Sequence, residues 1–282
     1  MGTLYLVRHG QASFGADDYD QLSDLGQRQS VRLGEYLASR GVTFDAVYTG
    51  TLRRQVQTWE GIRQGMGLVN IQTENLEAVG RRAGPPQARP APAGLSAAAL
   101  DVPAHIRTAR RASASGAGTS SAAHEVASVG AHIFWPGLNE YDSHAVIGAI
   151  HPMPLKKPDT PELYRHHFRL LRDGLAQWMA GVVSPKGMPT YEEFVHGVTS
   201  ALDHIRKSHT GNVLLVSSGG PIATAVGRVL GTPPEKTIEL NMRIRNSALT
   251  EFAFTPKRHM LLTYNTLPHL DHADYRDWVT YA

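Results

Sequence analysis

The chain has no cysteine among its 282 residues, which excludes disulfides, thiolate nucleophiles and cysteine-ligated metals. It has no apolar run long enough to span a bilayer. Its first residues read as a strand rather than as a basic-then-apolar leader, and Leu6 stands where a myristoylation signal carries Ser or Thr. A cytoplasmic protein without a membrane partner is therefore the expectation. Aromatic residues are absent from 81–133, and so is lysine. Six arginines (81, 82, 89, 107, 110 and 111) face only Asp101 and Glu125 there. This one stretch contributes +4 to a chain of net charge +3, leaving −1 for the rest. The pI of about 9.2 thus belongs to a single segment. Without aromatic side chains for base stacking, that segment is not expected to make nucleic acid the partner.

The same segment, about 80–133, lacks the apolar content of the chain around it. Its Arg-, Ala-, Pro- and Ser-rich composition buries too little apolar surface to offset ordering entropy. It reads either as a genuine insert or as the out-of-frame product of a G+C-rich gene, with ordinary sequence resuming near Phe134. The domain expectation is one domain over 1–282, interrupted by this stretch.

Outside it, the chain alternates strands and helices. Leu4 to Val7 form a short apolar, β-favouring run that ends in Arg8-His9-Gly10. Ser23 is a plausible N-cap for a helix reaching Arg40-Gly41. A strand over 45–49 leads into a second helix over about 51–65. Helices follow over about 160–182 and 189–208. Val213 to Val216 is the best central strand, feeding a small-residue helix from Ile222 to Leu230. Two strands, 246–254 and 259–264, suggest a hairpin about Pro256-Lys257, and 265–282 has no clear periodicity. This order implies a three-layer α/β/α sandwich with a mostly parallel central sheet. His166, His167, His196, His204 and His209 do not make a convincing metal set. In such a fold, ligands collect where the strands' carboxyl ends meet their loops. A strand that stops on Arg-His-Gly puts a nucleophile or base beside a fixed positive charge.

Four stretches now read together. Arg8-His9-Gly10-Gln11, Leu22-Ser23-x-x-Gly26-x-x-Gln29, Leu52-x-Arg54-x-x-x-Thr58 and Val213-Leu-Leu-Val-Ser-Ser-Gly-Gly220 occur in that order. With Leu138-Asn-Glu140 they resemble the motifs of the histidine phosphatase superfamily, also called phosphoglycerate-mutase-like. The resemblance covers roughly 1–68 and 134–264. It implies a metal-independent reaction, without a cofactor, on a small phosphorylated substrate. His9 would carry the phosphoryl group and Glu140 would serve as acid and base, with Glu77 and Asp142 as rival acids. Arg8, Arg54, Ser218 and Gly219 would bind the phosphate.

The departure that matters is at the family's second histidine, which falls on Ser218, a shorter and neutral side chain. The expected activity is phosphomonoester hydrolysis, with compensation by His151 or another loop histidine as one route around the missing imidazole. An impaired pseudophosphatase that binds a phosphorylated ligand, or a mutase-type phosphotransferase, is the alternative. Substrate identity and oligomeric state are not legible in the sequence.

Overall fold

The computed structural model describes residues 1–12, 20–68, 73–74, 130–153, 155 and 160–281. Most of the Arg-rich segment and the rival acid Glu77 lie outside the described residues. The chain divides into two units, Met1–Leu76 with Val126–Ala282 and Glu77–Glu125. Only the first has described residues.

Within that unit the expected fold is present. β1 (Gly2–Arg8) is followed by α1 (Asp24–Ser39), β2 (Ala46–Thr49), α2 (Arg53–Gly65), β3 (Thr73–Glu74) and β4 (His132–Phe134). Then come α3 (Ser143–Ile150), α4 (Pro161–Met179), α5 (Tyr191–Ser208), β5 (Asn212–Ser217), α6 (Gly219–Leu230) and α7 (Pro234–Arg243). The hairpin β6 (Leu249–Thr255) and β7 (Arg258–Thr266) closes the described sheet, whose order is β3-β4-β2-β5-β1-β6-β7. All pairings from β3 to β1 are parallel, and the two involving β6 are antiparallel.

Strand alternation sets the two packed layers. Leu4, Leu6, Val213 and Leu215 point into one core, filled from the other side by Leu175, Trp178, Leu202 and Ile222 of α4, α5 and α6. Val7, Leu214 and Val216 point into the opposite core, against Leu33 and Leu37 of α1 and Trp59 and Ile62 of α2. A strand buried on both faces needs an unbroken apolar run, which is what 213–216 supplies. The start of α1 is capped by the expected Ser23, and α5 is capped as well. Ser23 Oγ accepts from Gly26 N, and Thr190 with Glu193 forms a capping box.

Two stretches without an expected element are ordered. Residues 143–150 form α3, with Asp142 as its N-cap accepting from the His144 and Ala145 amides. The tail that showed no periodicity runs as two 3-10 turns, Pro268–Leu270 and Ala273–Trp278. It is held by Arg28 over the Trp278 ring and Arg32 over the Tyr275 ring.

Several histidines are packing residues. His209 Nε2 meets the Tyr48 hydroxyl at 2.8 Å, and His204 lies against Tyr48 and Trp135. No group of three or more His, Asp or Glu among the described residues is placed to hold a metal. No described helix is long and apolar enough to cross a membrane.

Burial, with a nearby arginine second in each case, holds His132 and His259 at about 4 and His269 at about 3. Each is thus harder to protonate folded than at its ordinary value of 6.5. A depressed histidine costs nothing above its unfolded value and costs stability as protons become available below it. The midpoint of urea unfolding should therefore fall as pH drops from about 6.5 towards 4 and continue to fall towards 3. A midpoint flat across that window would contradict the burial of these three rings.

Candidate active site

The register brings the motifs to one end of the sheet. Arg8 pairs with Ser217, and Thr49 and Val7 both pair with Val216. The residues that follow each strand therefore emerge side by side: His9 after β1, Gly50 after β2 and Ser218 after β5. The turn after His9 is tight. A Cβ on Gly10 would lie 2.5 Å from the Gly26 carbonyl oxygen, so β1 can pass the start of α1 only with glycine there.

His9 is 2% exposed and fixed on every side. Its backbone amide donates to the Ser217 carbonyl at 2.9 Å, and its own carbonyl accepts from the Ser247 amide at 3.2 Å. The Gly10 amide donates to Thr58 Oγ1 at 3.0 Å, and that hydroxyl donates to the Arg54 carbonyl. The ring lies with Nδ1 2.7 Å from the Gly10 carbonyl. A carbonyl can only accept, so Nδ1 carries the proton and Nε2 keeps its lone pair. Arg54 Nε donates to that Nε2 at 3.3 Å. Burial first, then the charges of Arg8 and Arg54, push the His9 pKa well below the usual histidine value. The imidazole is neutral at physiological pH.

Arg8 and Arg54 are both buried beside it, each 6% exposed. Arg8 Nη1 donates to the Ile244 carbonyl at 2.5 Å. Arg54 Nη1 pairs with Asp20 at 2.7 Å, and the other oxygen of Asp20 accepts from the Arg53 amide. Glu140 is the carboxyl brought to the same place. Its Oε2 accepts from the Gly220 amide at 3.1 Å and its Oε1 from the Tyr141 amide at 3.2 Å. Burial raises its pKa, opposed by these two amides and by Arg54 and Arg8. A Cβ on Gly220 would meet Glu140 Oε1 at 2.2 Å and the Tyr141 ring at 2.6 Å, so any other residue there would displace the carboxylate or the ring.

These groups open onto a cavity of about 1540 Å³. Arg8, His9, Arg54, Glu140 and Gly219 line it; Ser218 does not. Ser218 is fully buried, and its hydroxyl accepts from Gln55 Nε2 at 2.9 Å. The geometry thus gathers five of the six residues expected at a phosphate site and turns the sixth into the protein. Asp142 also lines the cavity, but its carboxylate is used as the cap of α3. His144, His151 and His167 also line the cavity.

The histidine phosphatase superfamily (branch 1) profile matches residues 4–85 and 157–267. The chain belongs to this superfamily. Its members include phosphatases and phosphoglycerate mutases, which act on small phosphorylated substrates. Over 85 residues the chain is 33% identical to the 2,3-bisphosphoglycerate-dependent phosphoglycerate mutase of Azorhizobium caulinodans, spanning 28% of this chain and 41% of that one. Over 88 residues it is 36% identical to the corresponding mutase of Rhizobium etli, spanning 29% and 41%. The chain thus matches about two fifths of the length of these curated relatives.

Among solved structures the fold is similar to Bacillus stearothermophilus YhfR, with a TM-score of 0.55 at 15% identity over 95% of this chain and 99% of that one. It is also similar to a mycobacterial glucosyl-3-phosphoglycerate phosphatase, with a TM-score of 0.53 at 18% identity over 94% and 99%. In this histidine phosphatase superfamily member, further residues support the site. Asn246 Nδ2 donates to the His9 carbonyl at 3.4 Å, and Ser247, fully buried, holds a left-handed backbone with φ of 54°. Gln29 accepts from the Gln11 amide and donates to the Trp278 carbonyl, tying the tail to the strand end. Gln29 was visible in its motif; Asn246, Ser247 and Asp20 had no sequence signal.

Proposed function

We propose that this chain is a metal-independent phosphomonoesterase that works through a phosphohistidine on His9. The observation that carries the reading is the state of His9: a buried neutral ring with its proton on Nδ1 and its Nε2 accepting from Arg54, under the charge of both arginines. A phosphate entering the cavity would draw the Arg8 and Arg54 guanidinium groups to its non-bridging oxygens, releasing Nε2 to attack phosphorus. Glu140, held towards its protonated form by burial, would give its proton to the leaving oxygen as the P–O bond breaks. As a carboxylate it would then take a proton from water. The water oxygen attacks phosphorus, the P–N bond breaks, and inorganic phosphate leaves with His9 neutral again. Gly219, at the start of α6, lies where a helix N-terminus offers backbone donors to an anion.

The size of the cavity favours hydrolysis over phosphoryl return to the same substrate, which needs water kept out. Its lining also includes Ile147, Met153, Leu155 and Phe168 together with Arg169 and Arg165, the latter paired with Glu162. That lining fits a leaving group with apolar surface and a further negative charge. The chain acting as one catalytic domain, interrupted over about 80–133 and working in the cytoplasm, is part of the same reading.

The inward turn of Ser218 favours a second reading, a binder of phosphorylated ligands with little turnover. Hydrolysis of aryl phosphates in the presence of a chelator separates the two. Turnover with acid-labile phosphate on the protein, and a higher kcat/KM for a carboxylated naphthyl phosphate than for phenyl phosphate, is the expected result. Tight binding of vanadate with no turnover of any ester would support the binder instead.

A further inference from the structure

Gln55 follows the arginine of the clamp and is fully buried. Its side-chain Nε2 donates both to the Leu138 carbonyl at 3.1 Å and to Ser218 Oγ at 2.9 Å. The Leu138 carbonyl accepts from Ser217 Oγ as well, at 2.6 Å. Leu138 lies two residues before Glu140, and Ser218 lies two residues before Gly220, whose amide holds the Glu140 carboxylate. Gln55 therefore closes a ring of bonds around the acid: α2 to the Leu138 segment, through Glu140 to the start of α6, and back through Ser218.

The orientation of this amide is decided by its partners. Flipping it would set its oxygen against the Leu138 carbonyl, two acceptors face to face. In the orientation observed, Oε1 is buried without a hydrogen-bond partner, and a Cβ on Gly50 would come within 2.0 Å of it.

We propose that Gln55 is a positioning residue for Glu140 and that Ser218 is the other half of this bracket rather than a weakened phosphate ligand. Gln55 and Ser218 share one buried volume. A side chain as large as an imidazole at 218 fits only if position 55 is cut back at the same time. The catalytic part of this inference rests on the phosphohistidine reading; the steric part stands without it.

The test uses the full chain and five variants: Gln55→Met, Ser218→Ala, Ser218→His, Gln55→Ala and Gln55→Ala/Ser218→His. Gln55→Met keeps the volume and removes both donors. It should lower kcat about 10- to 100-fold with KM little changed, as misplacement of a reacting group does. It should also move the basic limb of the pH–rate profile to lower pH, because a loosened Glu140 meets more water. Ser218→Ala opens the same ring at one bond while Gln55 keeps the Leu138 carbonyl, so it should cost about 3- to 10-fold, less than Gln55→Met, whereas loss of a phosphate donor would cost about 10²–10³-fold.

Ser218→His should lower Tm by at least about 3 °C through overpacking. Adding Gln55→Ala should recover part of that loss, so that the double variant melts above Ser218→His alone. This melting comparison is read whether or not the wild type turns over. The proposal is overturned if Ser218→His melts like wild type with Gln55 in place. It is equally overturned if Ser218→Ala loses about 100-fold or more, or if Gln55→Met leaves both kcat and the pH profile unchanged.

Discussion

Replacing His9 by alanine should abolish turnover, by at least about 10⁴-fold in kcat, as removal of a nucleophile does elsewhere. The same variant should yield no acid-labile phosphate on rapid quenching with a radiolabelled ester. It should still bind vanadate or inorganic phosphate within about tenfold of wild type, because Arg8, Arg54 and the Gly219 turn remain and charge-assisted contacts carry that binding. The split between lost chemistry and kept binding is what separates a nucleophile from a ligand. Label surviving in His9→Ala would move the nucleophile to another ring on the same cavity, of which His144, His151 and His167 are the candidates.

The wild-type pH dependence follows from the same geometry. His9 must be neutral to attack, and burial with two adjacent arginines holds its pKa well below 6.5. The acid limb of kcat/KM attributable to the enzyme should accordingly lie well below that value. Lowering the pH through 6.5 should cost little beyond the titration of the substrate phosphate itself.

How much of this was legible in the sequence depended on the kind of force involved. Val213 to Val216 announces a strand buried on both faces, and Ser23 announces a helix start, because burial and capping leave local signatures. Arg8, His9 and Arg54 were legible as a motif, and the resemblance of Leu138-x-Glu140 to the family's Leu-x-Glu pointed to the carboxyl that lies with them on the cavity. What was not legible lies in contacts between distant segments. Gln55 meets Ser218 across 163 positions and Gln29 meets the Trp278 carbonyl across 249. No local pattern marks a polar residue that will be buried against such a partner. The residues 143–150 are nearly all apolar after His144 and so carry no periodicity to distinguish helix from buried loop. Ser218 shows the opposite limit. Its place in the motif suggested a phosphate contact, and only the direction of its hydroxyl shows that it faces Gln55.

Substituting Glu140 by glutamine should expose the acid–base step through its dependence on the leaving group. For an alkyl phosphate, whose departing alkoxide needs a proton, kcat should fall about 10²–10⁴-fold, the usual worth of a positioned general acid. For p-nitrophenyl phosphate, whose leaving group departs unprotonated, formation of the phosphoenzyme should be slowed far less. Dephosphorylation, which needs the carboxylate to activate water, should then become limiting, so phosphohistidine accumulates as a burst followed by a slow steady state. Burial raises the Glu140 pKa above its ordinary 4.5, and the protonated form is the one that donates. Alkyl phosphate hydrolysis by wild type should thus decline as pH rises through that raised value, and the decline should vanish in Glu140→Gln, whose amide does not titrate. Gly220→Ala offers an independent check. A Cβ there intrudes on Glu140 Oε1 while leaving His9 and both arginines untouched, so it should reproduce the leaving-group dependence with phosphoenzyme formation from p-nitrophenyl phosphate largely intact. If Glu140→Gln slows both esters equally, the carboxyl acts by holding the start of α6, and the proton comes from elsewhere.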